Sequence, residues 1–99
     1  MKPLARVLLF LLLTGSVSAR DLSQDEALRL REQGRIIPLE KLLALVEKHH
    51  PQASLLEVEL EEDDGIYVYE VELATREGVV RELEINAATG KILKDEEDD

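Results

Sequence analysis

Two hydrophobic periods divide the chain. Leu39, Leu42, Leu43 and Val46 recur at the three-and-four spacing of one helical face, and Leu45 widens that face. Pro38 suits the first turn of such a helix, where a missing N–H costs little, and Pro51 forbids continuation, so the helix should end near His49. From Ala53 the period falls to two. Leu56, Val58 and Leu60 alternate with Glu57, Glu59 and Glu61. Tyr67, Tyr69, Val71 and Leu73 alternate with Val68, Glu70 and Glu72, and Leu83 and Ile85 with Glu82 and Glu84. Between these runs, Asp64-Gly65 is a two-residue hairpin signal, and Arg76-Glu77-Gly78 fits a three-residue loop with glycine at the left-handed position. Ala87-Ala88-Thr89-Gly90 turns into a short strand at residues 91–93.

Loop lengths fix strand register, so loop chemistry can be tested against the hydrophobic pattern. The first loop pairs Leu60 with Tyr69, Val58 with Val71 and Leu56 with Leu73; the second pairs Tyr69 with Ile85 and Val71 with Leu83. Every pair is apolar with apolar. The reading is an α+β fold: an antiparallel meander of three to four strands, its apolar face covered by the helix of residues 39–46. Arg81 falls opposite Leu73 on the apolar side and is expected near an edge, in reach of water. Upstream, Ser23-Gln24-Asp25-Glu26 reads as a capping box opening a short helix. Ala27, Leu28 and Leu30 give it a thin apolar stripe, and Gly34 a stop. The expected organisation is a helix within residues 20–34, one domain over 35–94, and a disordered acidic tail at 95–99.

The same register sorts the glutamates into rows on the opposite face. Glu59, Glu70 and Glu84 form one row, and Glu57, Glu72 and Glu82 the next. Directly opposed like charges destabilise a sheet. These six residues are therefore the candidate interaction face, open to a basic partner or a divalent cation. An ordinary solvated face that discourages edge-to-edge pairing would look the same. His49-His50 suggests a metal, but adjacent side chains on a helix point about 100° apart. With no His-x-x-x-His and no cysteine, no metal site and no cofactor is expected there. The acidic tail lacks the spacing of a dedicated calcium loop, so any calcium binding should be weak.

Charge and the N-terminus place the chain in a compartment. Lys2 and Arg6 precede an unbroken apolar run over residues 7–13, and Val17-Ser18-Ala19 offers small side chains before a cut. Residues 1–19 read as a cleavable signal peptide, too short in their apolar run to span a bilayer, which needs roughly 20 such residues. The expected location is periplasmic or secreted, with no membrane anchor after cleavage. Without its signal the chain has ten basic and 22 acidic residues, a net charge of −12. That balance repels nucleic acid and anionic membranes. The absence of cysteine rules out a disulfide framework and a lipoprotein anchor. Nor is there a Gly-x-Ser-x-Gly motif, and the two histidines stand together before a proline with no triad partner. Paired carboxylates on an open sheet face offer no water-excluded cleft. Catalysis is not expected.

The chain from about residue 34 to residue 94 resembles the PepSY domain family. The likeness rests on Ile37-Pro38-Leu39 opening a helix, on residues 67–73 and 78–85 as paired strands, and on Asn86-Ala87-Ala88-Thr89-Gly90-Lys91-Ile92-Leu93. The last segment is similar to the family's Asp-Ala-x-Thr-Gly-x-Val-Leu signature, with Asn86 where aspartate is usual. Either short polar side chain supports that turn. Such domains occur in propeptides of secreted thermolysin-like metallopeptidases. The resemblance therefore implies a binding module, exported, that modulates or inhibits a peptidase or acts on an envelope sensor through protein contact. It implies no catalytic residues. The rival reading is an acidic protein that binds and buffers divalent cations.

Overall fold

The computed structural model describes residues 20–98. The expected signal peptide lies outside the described residues. Five antiparallel strands pair strictly in chain order, β1 (Arg20–Asp21), β2 (Ser54–Asp63), β3 (Ile66–Ala74), β4 (Val80–Asn86) and β5 (Ile92–Glu97). Helices α1 (Gln24–Glu32) and α2 (Leu39–His49) follow β1 and precede β2. The fold is α+β, as the alternating periods require, with one strand more than the upper expectation.

Local chemistry sets each boundary. Ser23 and Glu26 close the capping box in both directions at 3.1 Å, which satisfies two of the amides left free at the start of α1. Asp64 and Gly65 both take positive φ, so the β2–β3 loop is a two-residue turn whose twist matches its strands. Asn86 Oδ1 accepts from the amides of Ala88 and Thr89 and so holds the turn into β5. Gly90 ends that turn at φ +83°, where a Cβ would also come within 3.1 Å of Leu45. A larger residue there would be strained in its backbone and would need the Leu45 side chain to give way.

The expected register holds over most of the sheet. Leu60 faces Tyr69, Val58 faces Val71, Tyr69 faces Ile85 and Val71 faces Leu83. Tyr69, Val71, Leu73, Leu83 and Ile85 have no solvent exposure, and they pack with Leu42 and Val46 of α2 and Ala27 and Leu30 of α1. Tyr69 joins the layers. Its hydroxyl donates to the Ile37 carbonyl at 2.8 Å and accepts from Arg31 Nε at 3.2 Å. Ile37 then donates its amide to the Ala87 carbonyl, tying the inter-helix loop to the turn after β4. Ile36, Ile37 and Ala87 thereby enter the core.

Three expectations need correction. A β-bulge between Leu55 and Glu57 gives Leu73 the partner Leu55, and Leu56 is left 52% exposed instead of facing the helix. One extra residue in a strand reverses which side chains point inward beyond it. On α2 the buried stripe runs through Leu42 and Val46 with Leu45 packed beside it, whereas Leu39 and Leu43 are exposed. The helix is rotated so that its 42/45/46 edge meets the sheet. Finally, the residues expected as a disordered tail continue β5 to Glu97, and the Asp98 amide bonds the Val80 carbonyl. Register places Asp95 opposite Leu83, on the helix side, where Arg81 neutralises it at 2.7 Å. A paired carboxylate can remain in the strand where a lone one would not.

Candidate functional site

The sheet brings all six predicted glutamates together. Glu57 faces Glu72 and Glu72 faces Glu82; Glu59 faces Glu70 and Glu70 faces Glu84. Five of them (Glu57, Glu59, Glu70, Glu72 and Glu82) line a shallow depression of about 60 Å³. Glu84 is in its row but beyond that depression.

Crowding perturbs their ionisation. Glu70, at the centre, is pushed up to about 7, by burial first and then by the charges of Glu61 and Glu82 and a hydrogen bond with Glu61. Val68, two residues along the same strand face, is itself buried, so this part of the face is not uniformly wet. Glu61 is raised by burial. Glu59 is raised by its hydrogen bond with Glu57 and then by the charge of Asp21, and Glu72 by its hydrogen bond with Asp98.

Sequence pattern missed the far side of this face, because β5 was expected to stop before reaching it. Lys94 pairs with Glu84 in register and places Nζ 3.4 Å from Glu82, 3.8 Å from Glu84 and 4.0 Å from Glu96. Its pKa is raised, chiefly by the charge of Glu82. An internal lysine thus partly neutralises one end of the rows. Near the other end Asp21, Glu59 and Glu61 bring carboxylate oxygens within 4.8 Å of one another.

A different surface lies at the β2 edge. β1 covers β2 only at Glu61 and Glu62, with one further bond from the Leu22 amide to the Leu60 carbonyl. Among the described residues, no strand pairs with the outer edge of β2 before Leu60. Leu55 and Leu56 are exposed on that stretch. Beside it a groove of about 620 Å³ opens between α1, the start of α2 and the sheet, with Leu28, Leu39, Val58 and Tyr69 among its walls. Leu28 and Leu39 are both exposed to solvent. The histidine pair is also not where helical spacing places it. His50 leaves the helix, with φ −133° and ψ 83°, and both imidazoles reach Asp95.

The uncharacterized protein YkoJ of Bacillus subtilis (strain 168) is 48% identical over 46 residues, which are 46% of this chain and 27% of that relative. The matched region thus spans about a quarter of the curated relative's length. No solved structure gives a significant match. The family model described as "Peptidase propeptide and YPEB domain", PepSY, matches residues 36–96, from the loop before α2 almost to the end of β5, and the chain belongs to that family.

Proposed function

We propose that the protein is an exported PepSY-type binding module that modulates or inhibits a peptidase, or regulates an envelope sensor, by protein contact and without catalysis of its own. The observation that carries this reading is the open edge of β2 beside a groove whose walls mix apolar side chains (Leu28, Leu39 and Val58) with charged ones (Asp21, Asp25, Arg31 and Glu59). Edge amides and carbonyls of β2 that no strand among the described residues pairs with can accept an extended peptide, and the neighbouring groove offers Leu28 and Leu39 to its side chains. A domain related to peptidase propeptides is suited to presenting such an edge to a protease-like partner. Export is supported by the signal-like pattern of residues 1–19. No helix among the described residues is long and apolar enough to cross a membrane.

The test is affinity capture from an envelope extract, comparing the parent with Leu56→Lys and Leu39→Asp. A stoichiometric partner retained by the parent and lost by both variants supports the reading. A partner retained equally by all three would move the contact elsewhere. Capturing none would remove it.

A second reading, binding and buffering of divalent cations, is favoured by the raised pKa of Glu70 and the carboxylate-lined depression. It requires calorimetric calcium uptake that Glu70→Gln with Glu72→Gln abolishes. Calcium suits these oxygen ligands.

A further inference from the structure

At the opposite end of the sheet from the groove, the C-terminus of α2 meets β5. His49 Nε2 lies 3.3 Å and His50 Nε2 2.8 Å from one and the same atom, Asp95 Oδ2. Either distance alone is a hydrogen bond or ion pair. Two imidazoles converging on a single oxygen is a more particular arrangement. The two rings stand nearly perpendicular, at 82°, with centroids 5.1 Å apart.

We propose that His49 Nε2, His50 Nε2 and Asp95 Oδ2 form a binding site for a late first-row divalent transition-metal cation such as Zn²⁺ or Cu²⁺. Metal–ligand bonds of about 2.0–2.2 Å separate neighbouring donors by about 2.8–3.6 Å, from the short end in square geometry to the long end in tetrahedral geometry. The two N···O distances fall close to that span, and the three donor atoms all lie within 4.8 Å of one another. Two imidazoles with one carboxylate select zinc, copper or nickel, and disfavour the calcium that the glutamate face would take. The remaining coordination positions are open to water or to a partner's side chain.

The surroundings fit that assignment. Arg81 donates from Nε to Asp95 Oδ1 at 2.7 Å and from Nη2 to the Asp95 carbonyl at 3.2 Å, which fixes the carboxylate and leaves Oδ2 turned to the imidazoles. His50 and Asp95 side chains are each 19% exposed, while His49 is 46% exposed, so the site has a shielded floor and an open mouth. The helical-spacing argument against a shared ion fails because His50 is the residue after the helix. Pro51 follows it, and the chain turns back on itself there. The inference is independent of the β2-edge reading, since it uses neither that edge nor the groove.

Calorimetric titration of the purified protein with Zn²⁺ tests it, together with electron paramagnetic resonance of the Cu²⁺ form. The expected result is one saturable equivalent per chain, weakened at least tenfold by each of His49→Asn, His50→Asn and Asp95→Asn, and unaffected by Glu70→Gln with Glu72→Gln. The Cu²⁺ spectrum should show coupling to two imidazole nitrogens in the parent and one in His49→Asn. His49 is exposed, so that variant should keep the fold. Absence of saturable uptake would overturn the site, as would uptake undiminished by His49→Asn or Asp95→Asn, or lost only with the glutamate substitutions.

Discussion

The two faces of one sheet are built from alternate residues of the same three strands, yet they follow opposite physical rules. On the helix side, Tyr69, Val71, Leu73, Leu83 and Ile85 are wholly buried, and among the described residues no buried side-chain polar atom lacks a hydrogen-bond partner. On the other side, glutamate faces glutamate across both strand boundaries, and the central one holds a proton near neutrality. The comparison shows that the fold is held from one side. That surplus lets the other side carry a standing repulsion, and a repulsive face is one whose state a cation, a proton or a basic partner can change.

The largest expected effect lies in the core. Leu83→Ala should cost roughly 2–4 kcal/mol in denaturant unfolding, as for other large-to-small changes at packed sites. Leu56→Ala, at the bulged and exposed position, should cost less than about 0.5 kcal/mol. Equal losses at the two would mean that the bulge is wrongly placed. Next comes the polar tie between the layers. Tyr69→Phe leaves the buried Ile37 carbonyl without its donor and should cost about 1–3 kcal/mol. Ser23→Ala removes the α1 cap and should cost about 1 kcal/mol, detected as a lower melting temperature. On the glutamate face, Lys94→Gln should lower the melting temperature slightly, and added salt should narrow the difference.

How much of this was legible in the sequence depends on what set each feature. Asp64-Gly65 and Arg76-Glu77-Gly78 fixed their turns through backbone geometry, so the pairs from Leu60 to Tyr69 and from Val71 to Leu83, and with them both glutamate rows, could be read directly. The capping box was equally local. The bulge at Leu56 was not, since Leu55 and Leu56 are alike and only tertiary packing chooses between them. The rotation of α2 escaped for the same reason: five leucine and valine positions span an arc of about 160° at 100° per residue, and sequence cannot say which edge the sheet takes. β5 was cut short because acidic residues count against a strand unless their partners are known. Arg81 and His50 come from distant parts of the chain. The convergence of His49, His50 and Asp95 depended on both errors at once, the length of β5 and the backbone turn at His50.

The central claim, that one face stabilises the fold while the other opposes it, is tested most directly by stability against pH in the parent and in Glu70→Gln with Glu72→Gln. Glu70 has a folded pKa of about 7, above the ordinary carboxyl value of 4.5. Folding therefore favours its protonated form, and the stability this contributes is complete below about 4.5 and lost as pH rises through 7. The lowered pKa of Asp95 acts in the other sense, but only below its usual 3.8. There, hydrogen bonds from Arg81 and His50 outweigh its burial, which opposes ionisation. Between pH 8 and pH 5 the parent should melt progressively hotter on acidification, and at pH 8 added salt should raise its melting temperature. The double variant should melt hotter than the parent at pH 8, with the gap closing toward pH 5. A variant that melts no higher than the parent at pH 8, with an unchanged gap across the range, would contradict the account.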